Sequence, residues 1–172
     1  MPDLPPGWLH AGTVGRPHGL DGSFHVVAAN PLLLGLGKLV RIAPLGEDRL
    51  VTRRAGTDAR PILRLEGYED RAAATSLSGA DLLVERSEAP DLEDDEWWAE
   101  DLEGCTVVDG DRVVGVVRRL LALPSCEVLE VERATAPEGD PLLVPLVTDA
   151  VRSVDLERRS IDVDLAFLGA EG

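Results

Sequence analysis

The sequence predicts an all-β protein made of two small β-domains, with one short helix in the first. Three observations carry that expectation. Short apolar runs alternate with polar residues at period two. Gly, Pro and Asp turn signals recur at intervals of about eight to twelve residues, the rhythm of barrels and sandwiches. An acidic stretch with little to bury, "SEAPDLEDD", interrupts the middle of the chain. A length of 172 residues accommodates two such domains.

In the first half, residues 8–14 and 23–28 read as strands on either side of "GRPHGLDG", whose Pro17 and three glycines suit a tight connection. Residues 38–43, 50–54 and 61–66 read as further strands. In the last of these Leu63 and Leu65 alternate with Arg64 and Glu66, the pattern of a half-buried strand. "YEDRAAATSLSG" breaks the rhythm. Acidic residues precede three consecutive Ala, and Gly79 follows Leu77, which are the start and stop signals of a short helix. "ADLLVER" returns to strand.

Residues 87–95 contain Pro90 and read as a linker. This divides the chain into a first domain at 1–88, an acidic linker at 89–95 and a second domain at 96–172. Beyond the linker, "CTVVDGDRVVGVVRRLLAL" is a strand, an Asp-Gly turn and a second strand. "CEVLEVE" places Val128, Leu129 and Val131 among Glu residues. "DPLLVPLV" is a strand that Pro141 and Pro145 confine to an edge or a bend. "SIDVDL" alternates Ile161, Val163 and Leu165 with Asp162 and Asp164.

Composition excludes several functional classes. The longest apolar runs are far too short to span a bilayer, and the N-terminus has no basic region followed by an apolar one. With Cys105 and Cys126 outside any CxxC pattern and in apolar surroundings, the expectation is a cytoplasmic protein with reduced thiols. The net charge of −15 is unevenly spread. Residues 1–90 hold 10 Lys and Arg against 11 Asp and Glu, a net of −1; residues 91–172 hold 7 against 21, a net of −14. A field of that sign in the second half repels a phosphate backbone and attracts a basic partner.

No catalytic constellation is visible. His10, His18 and His25 lack the HxH or HxxxH spacing of a metal site, and no Cys lies near them. His18 is expected in the Gly-rich turn, with His10 and His25 in the flanking strands. The glycines of that turn form neither GxxxxGK[ST] nor GxGxxG, and no GxSxG elbow occurs. The reading is a binding or assembly protein with neither cofactor nor metal. "DDEWWAED" stands out within it: two of the three Trp in an aromatic-poor chain lie side by side among carboxylates.

Three segments in order carry a family resemblance. "VGRPHGLDGSFHV" (14–26) resembles the opening of the ribosome maturation factor RimM family, where a strand passes through a Gly-Arg-x-x-His-Gly-Leu-x-Gly turn into a second strand. "GYEDRAAATSLSGADLLVERSEAPDLEDDEWWAEDLEGCTVVD" resembles the family's middle, with its Asp-Arg helix, Gly-x-x-Leu-x-Val strand, acidic linker, aromatic pair and Asp-Leu-x-Gly turn. "PLLVPLVTDAVRSVDLERRSIDVDL" resembles the end of its second domain. The likeness runs from about residue 9 to 168.

The resemblance implies a six-stranded barrel like those of translation factors, followed by a PRC-type β-barrel. It also implies a non-catalytic, monomeric protein that binds the head of the maturing 30S subunit. Binding would run chiefly through small-subunit ribosomal protein nineteen and support 16S rRNA processing. The aromatic pair, commonly Tyr-Tyr in the family, is the position most closely tied to that protein. Here it is Trp97-Trp98, with Glu96 and Asp101 beside it. An indole N–H donates a hydrogen bond but cannot accept one as a phenol does. If the pair is extended, its two indoles point to opposite faces, one into the second barrel and one to a partner. Arg16, His18, Arg53 and Arg54 are the residues expected to face rRNA. Two alternatives stay open: a PRC-barrel adaptor with a non-ribosomal basic partner, and a small metal-dependent enzyme using His10, His18 and His25.

Overall fold

The structure is a computed structural model that describes residues 4–94, 96–123, 125–135 and 140–170. Asp95, in the expected linker, and Pro124 therefore lie outside the described residues. The chain forms two compact units, divided between Asp91 and Leu92.

The first unit is a closed six-stranded barrel. Its strands are β1 (Trp8–His18), β2 (Ser23–Val27), β3 (Leu39–Ala43), β4 (Glu47–Thr57), β5 (Arg60–Leu65) and β6 (Asp81–Glu85). They run in the order β1-β2-β5-β4-β3-β6, and every pairing is antiparallel. Alternation sends Leu9, Val14, Phe24, Val26, Val40, Ile42, Leu63 and Leu65 inward, where all are buried. Helix α1 (Arg71–Ser76) starts where the sequence signals a start: the Ala73 N–H donates to Asp70 Oδ1 at 2.8 Å. Ala74 and Leu77 are buried, and Gly79 adopts φ +85° just beyond. The third Trp, Trp8, lies under Arg41, whose Cζ is 4.1 Å from the ring centroid. The same guanidinium donates to both carboxylate oxygens of Asp48 at 2.7 and 2.9 Å.

The second unit is a six-stranded mixed sheet over its own core. Its strands are β7 (Thr106–Asp109), β8 (Arg112–Ala122), β9 (Glu127–Arg133), β10 (Leu142–Pro145), β11 (Val151–Asp155) and β12 (Ser160–Val163). The order is β10-β9-β8-β7-β12-β11, with β12 and β7 parallel. The expected Asp-Gly hairpin is present: Asp109 pairs with Arg112, and Gly110 at φ +60° takes the first central position of a two-residue turn. The proline-bearing β10 is an edge strand. Leu102, Cys105, Val107, Leu129, Val131, Val144, Ile161 and Val163 form the centre of the core.

Some elements differ from the sequence-based expectation. β1 does not stop at Val14: a register shift between Val14 and Pro17 lets it run on to His18, which pairs with Ser23. His18 is therefore a strand residue rather than a turn residue. β11 and a one-turn helix, α2 (Ala99–Leu102), were not foreseen. Glu130 reads as a solvent-facing Glu but is 7% exposed, because Arg119 lies across it, with Nε and Nη2 donating to Oε2 at 2.9 and 2.8 Å.

Candidate functional site

The segment from Glu93 to Asp101 is built by three local devices. The Glu96 N–H donates to the Glu93 carbonyl at 3.0 Å, while Glu96 Oε2 accepts from the Glu93 N–H at 3.1 Å. This reciprocal pair closes a turn and leaves Glu96 exposed. Trp98 is extended (φ −73°, ψ 140°) and caps α2, whose Asp101 and Leu102 N–H groups donate to its carbonyl at 3.0 and 3.4 Å. Leu102 then anchors α2 in the second core.

The two indoles differ. Trp98 is only 7% exposed. Trp97 is half-buried and packs against the core of the second unit. Neither indole projects freely, and the accessible one is Trp97, next to exposed Glu96. Asp101 is half-buried, and its carbonyl accepts from Cys105 Sγ at 3.3 Å. Burial pushes the Cys105 thiol above its ordinary pKa.

One residue that supports this segment was not singled out from the sequence. Arg159 holds a left-handed φ of +51°, which disfavours a residue with a Cβ. Its Nη2 donates to the Glu103 carbonyl at 2.6 Å just past α2, and its own carbonyl accepts from the Thr106 N–H at 2.8 Å. The hint in sequence was a double Arg at a turn where Gly or Asn is usual.

The residues expected to face rRNA separate. Arg16 and His18 are exposed on β1. Arg53 pairs with Arg64 on the outer face of the barrel, where Nη1 donates to Asp21 Oδ2 at 2.8 Å and Ser23 Oγ at 3.1 Å. Hydrogen bonds from Ser23 and the nearby Arg53 hold the Asp21 carboxyl below its ordinary pKa. Arg54 pairs with Leu63, whose side chain fills the core, so Arg54 starts from the inner face of the sheet. It is half-buried, donating to the Leu34 carbonyl at 3.2 Å and to Asp58.

The three histidines do not converge. His10 Nε2 lies 3.1 Å from Asp81 Oδ1, which also accepts from Thr13 Oγ1 at 2.8 Å, a link between β1 and β6. His18 and His25 meet edge to face with centroids 5.1 Å apart. Among the described residues no group of three or more His, Cys, Asp or Glu could hold a metal ion, and no helix is long and apolar enough to cross a membrane.

Comparison with known proteins accounts for both units. The RimM N-terminal domain matches residues 9–89, and the RimM PRC barrel domain matches residues 99–167. The Ribosome maturation factor RimM of Sorangium cellulosum is 36% identical over 157 residues, covering 87% of this chain and 90% of that protein. The Oleidesulfovibrio alaskensis protein of the same name is 32% identical over 169 residues, covering 91% and 90%. A solved structure of a putative 16S ribosomal RNA processing protein RimM from Pseudomonas aeruginosa aligns at 24% identity and a TM-score of 0.41, covering 91% of this chain and 96% of that one. The assignment rests on the two domain matches and the full-length sequence similarity. On those grounds, the chain is a member of the ribosome maturation factor RimM family.

Proposed function

We propose that this protein is a non-catalytic assembly factor of the small ribosomal subunit. It binds the head of the maturing 30S particle through small-subunit ribosomal protein nineteen and supports processing of 16S rRNA. It works as a monomer in the cytoplasm, with no cofactor. The observation that carries the reading is the half-open Trp97 beside exposed Glu96, in the half of the chain that holds 21 acidic and 7 basic residues. Acidic surroundings steer a basic protein towards the site, and a desolvated aromatic contact then holds it. The names of the relatives, which are ribosome maturation factors, support the same reading.

Titration calorimetry with purified ribosomal protein nineteen tests it. Trp97→Ala is expected to weaken binding by more than about 2 kcal/mol, roughly thirtyfold, if Trp97 is an anchor. A folded Trp97→Ala protein that binds as tightly as the parent would remove this residue from the interface.

A further inference from the structure

The acidic chain carries one basic face. Within residues 14–27 and 51–65, which contribute the end of β1, all of β2 and β5 and most of β4, Arg54 starts from the inner face and engages Asp58, leaving Arg16, Arg53, Arg60 and Arg64 against Asp21 on the outer side. That is a local net of +3 in a protein of net −15. These four strands are neighbours in the order β1-β2-β5-β4.

Register determines which side chains share the outer surface. His25 pairs with Ile62, Thr57 with Arg60 and Arg53 with Arg64, all opposite in direction to the buried Phe24, Leu63 and Leu65. His18 pairs with Ser23 on the same side, and its ring meets that of His25 at 89°. The shift between Val14 and Pro17 brings Arg16 near His25. The carboxylates do not neutralise this face evenly. Asp21 engages Arg53 and lies 3.7 Å from Arg64, and Asp58 engages Arg54. Among the described residues the Arg16 and Arg60 guanidiniums have no ion-pair partner, and both are exposed.

We propose that the outer face of β1, β2, β5 and β4, centred on Arg16, His18, His25 and Arg60, binds the phosphate backbone of RNA, more tightly when His25 is protonated. The inference rests on the ribosomal reading above and assigns the RNA contact within it. Four strands about 4.8 Å apart spread the cations over a width that several successive phosphates match. The charge is local and opposite to that of the second unit, so it suits an anion rather than the basic protein expected there.

The groups facing the imidazoles set the direction of the pH effect. Arg16 from β1 and Arg60 from β5 act on His25, while Arg64 from β5, Arg53 from β4 and Asp21 from the turn at 19–22 share the same outer face. Burial, then Arg16, His18 and Arg60, push the His25 imidazole below its ordinary pKa. A bound phosphate offsets those cations, favours the imidazolium and makes binding take up a proton.

The test is fluorescence anisotropy of a fluorescein-labelled RNA hairpin with the full-length protein, across salt concentration and between about pH 6 and pH 8. Arg16→Ala/Arg60→Ala is expected to lose about tenfold in affinity near 0.1 M salt and to flatten the log K against log salt slope by roughly 0.9 per guanidinium removed. Arg158→Ala, an exposed change in the second unit, should match the parent. The parent should bind several-fold more tightly at the lower pH, and His18→Gln/His25→Gln should abolish that difference. Parental affinity and slope in the folded double-Arg variant, or no RNA binding by the parent, overturns the proposal. A pH dependence that survives His18→Gln/His25→Gln overturns the histidine role. Sedimentation with small subunits separates this failure from that of the parent reading. If the parent protein co-sediments while Arg16→Ala/Arg60→Ala keeps full RNA affinity, only the assignment of this face fails.

Discussion

Replacing Trp98 by Ala and Trp97 by Ala should produce different kinds of defect. Trp98 is 7% exposed, and truncating a buried aromatic residue to Ala costs about 3–5 kcal/mol. The second unit, 92–172, is small enough that its whole stability is on the order of 4–12 kcal/mol. Trp98 is part of that unit of the chain, and a loss of this size is large beside such a total. At roughly 4–8 °C per kcal/mol for a domain of this size, melting should fall by about 12 °C or more. Trp97 is half-buried, so Trp97→Ala should cost about 1–2 kcal/mol of stability, with its larger effect on partner affinity. Thermal unfolding followed by far-UV circular dichroism, read beside calorimetry with ribosomal protein nineteen, separates the two effects. If Trp97→Ala proves as destabilising as Trp98→Ala, Trp97 is a core residue and the docking argument fails.

Other outcomes follow from the geometry. Gly22→Ala should destabilise the first unit by more than about 2 kcal/mol in urea unfolding, because Gly22 has φ +81° and a Cβ there would run into the Tyr68 carbonyl. A thiol reagent at about pH 8 should modify half-buried Cys126 first and reach Cys105 only on unfolding, since Cys105 is buried with its pKa raised; equal rates would contradict its burial. Arg152 donates to Asp109 at 2.8 Å and Asp162 at 3.1 Å and lies 3.2 Å from Asp164. Arg152→Met leaves three carboxylates facing one another, so its melting temperature should rise with added salt more steeply than the parent's.

Features governed by local chemistry were legible in the sequence. Asp70 and the Ala run specify α1, Gly110 specifies the β7–β8 turn, and Pro141 and Pro145 keep β10 at an edge. What stayed hidden depends on register and tertiary partners. In β4 the shift between Val51 and Arg53 reverses the alternation, so Arg53 points out and Arg54 in, which two adjacent Arg cannot reveal. The bulge in β1 carries that strand through Pro17 and brings His18 to His25. β11 has two polar residues, Arg152 and Ser153, at its centre and lacks strand-like alternation. It is held by pairing with β12 and by the carboxylates that gather around Arg152. The aromatic pair was conspicuous in sequence. The division between its members comes from α2, a single turn too short to leave a periodic signal.

Sedimentation of the purified protein with ribosomal particles tests the central claim most directly. Small-subunit assembly predicts recovery of the protein with free small subunits and far less with complete ribosomes, and reduced recovery for Trp97→Ala. Absence from the small-subunit fraction, or equal recovery with both particles, would contradict a role in maturation of the small subunit.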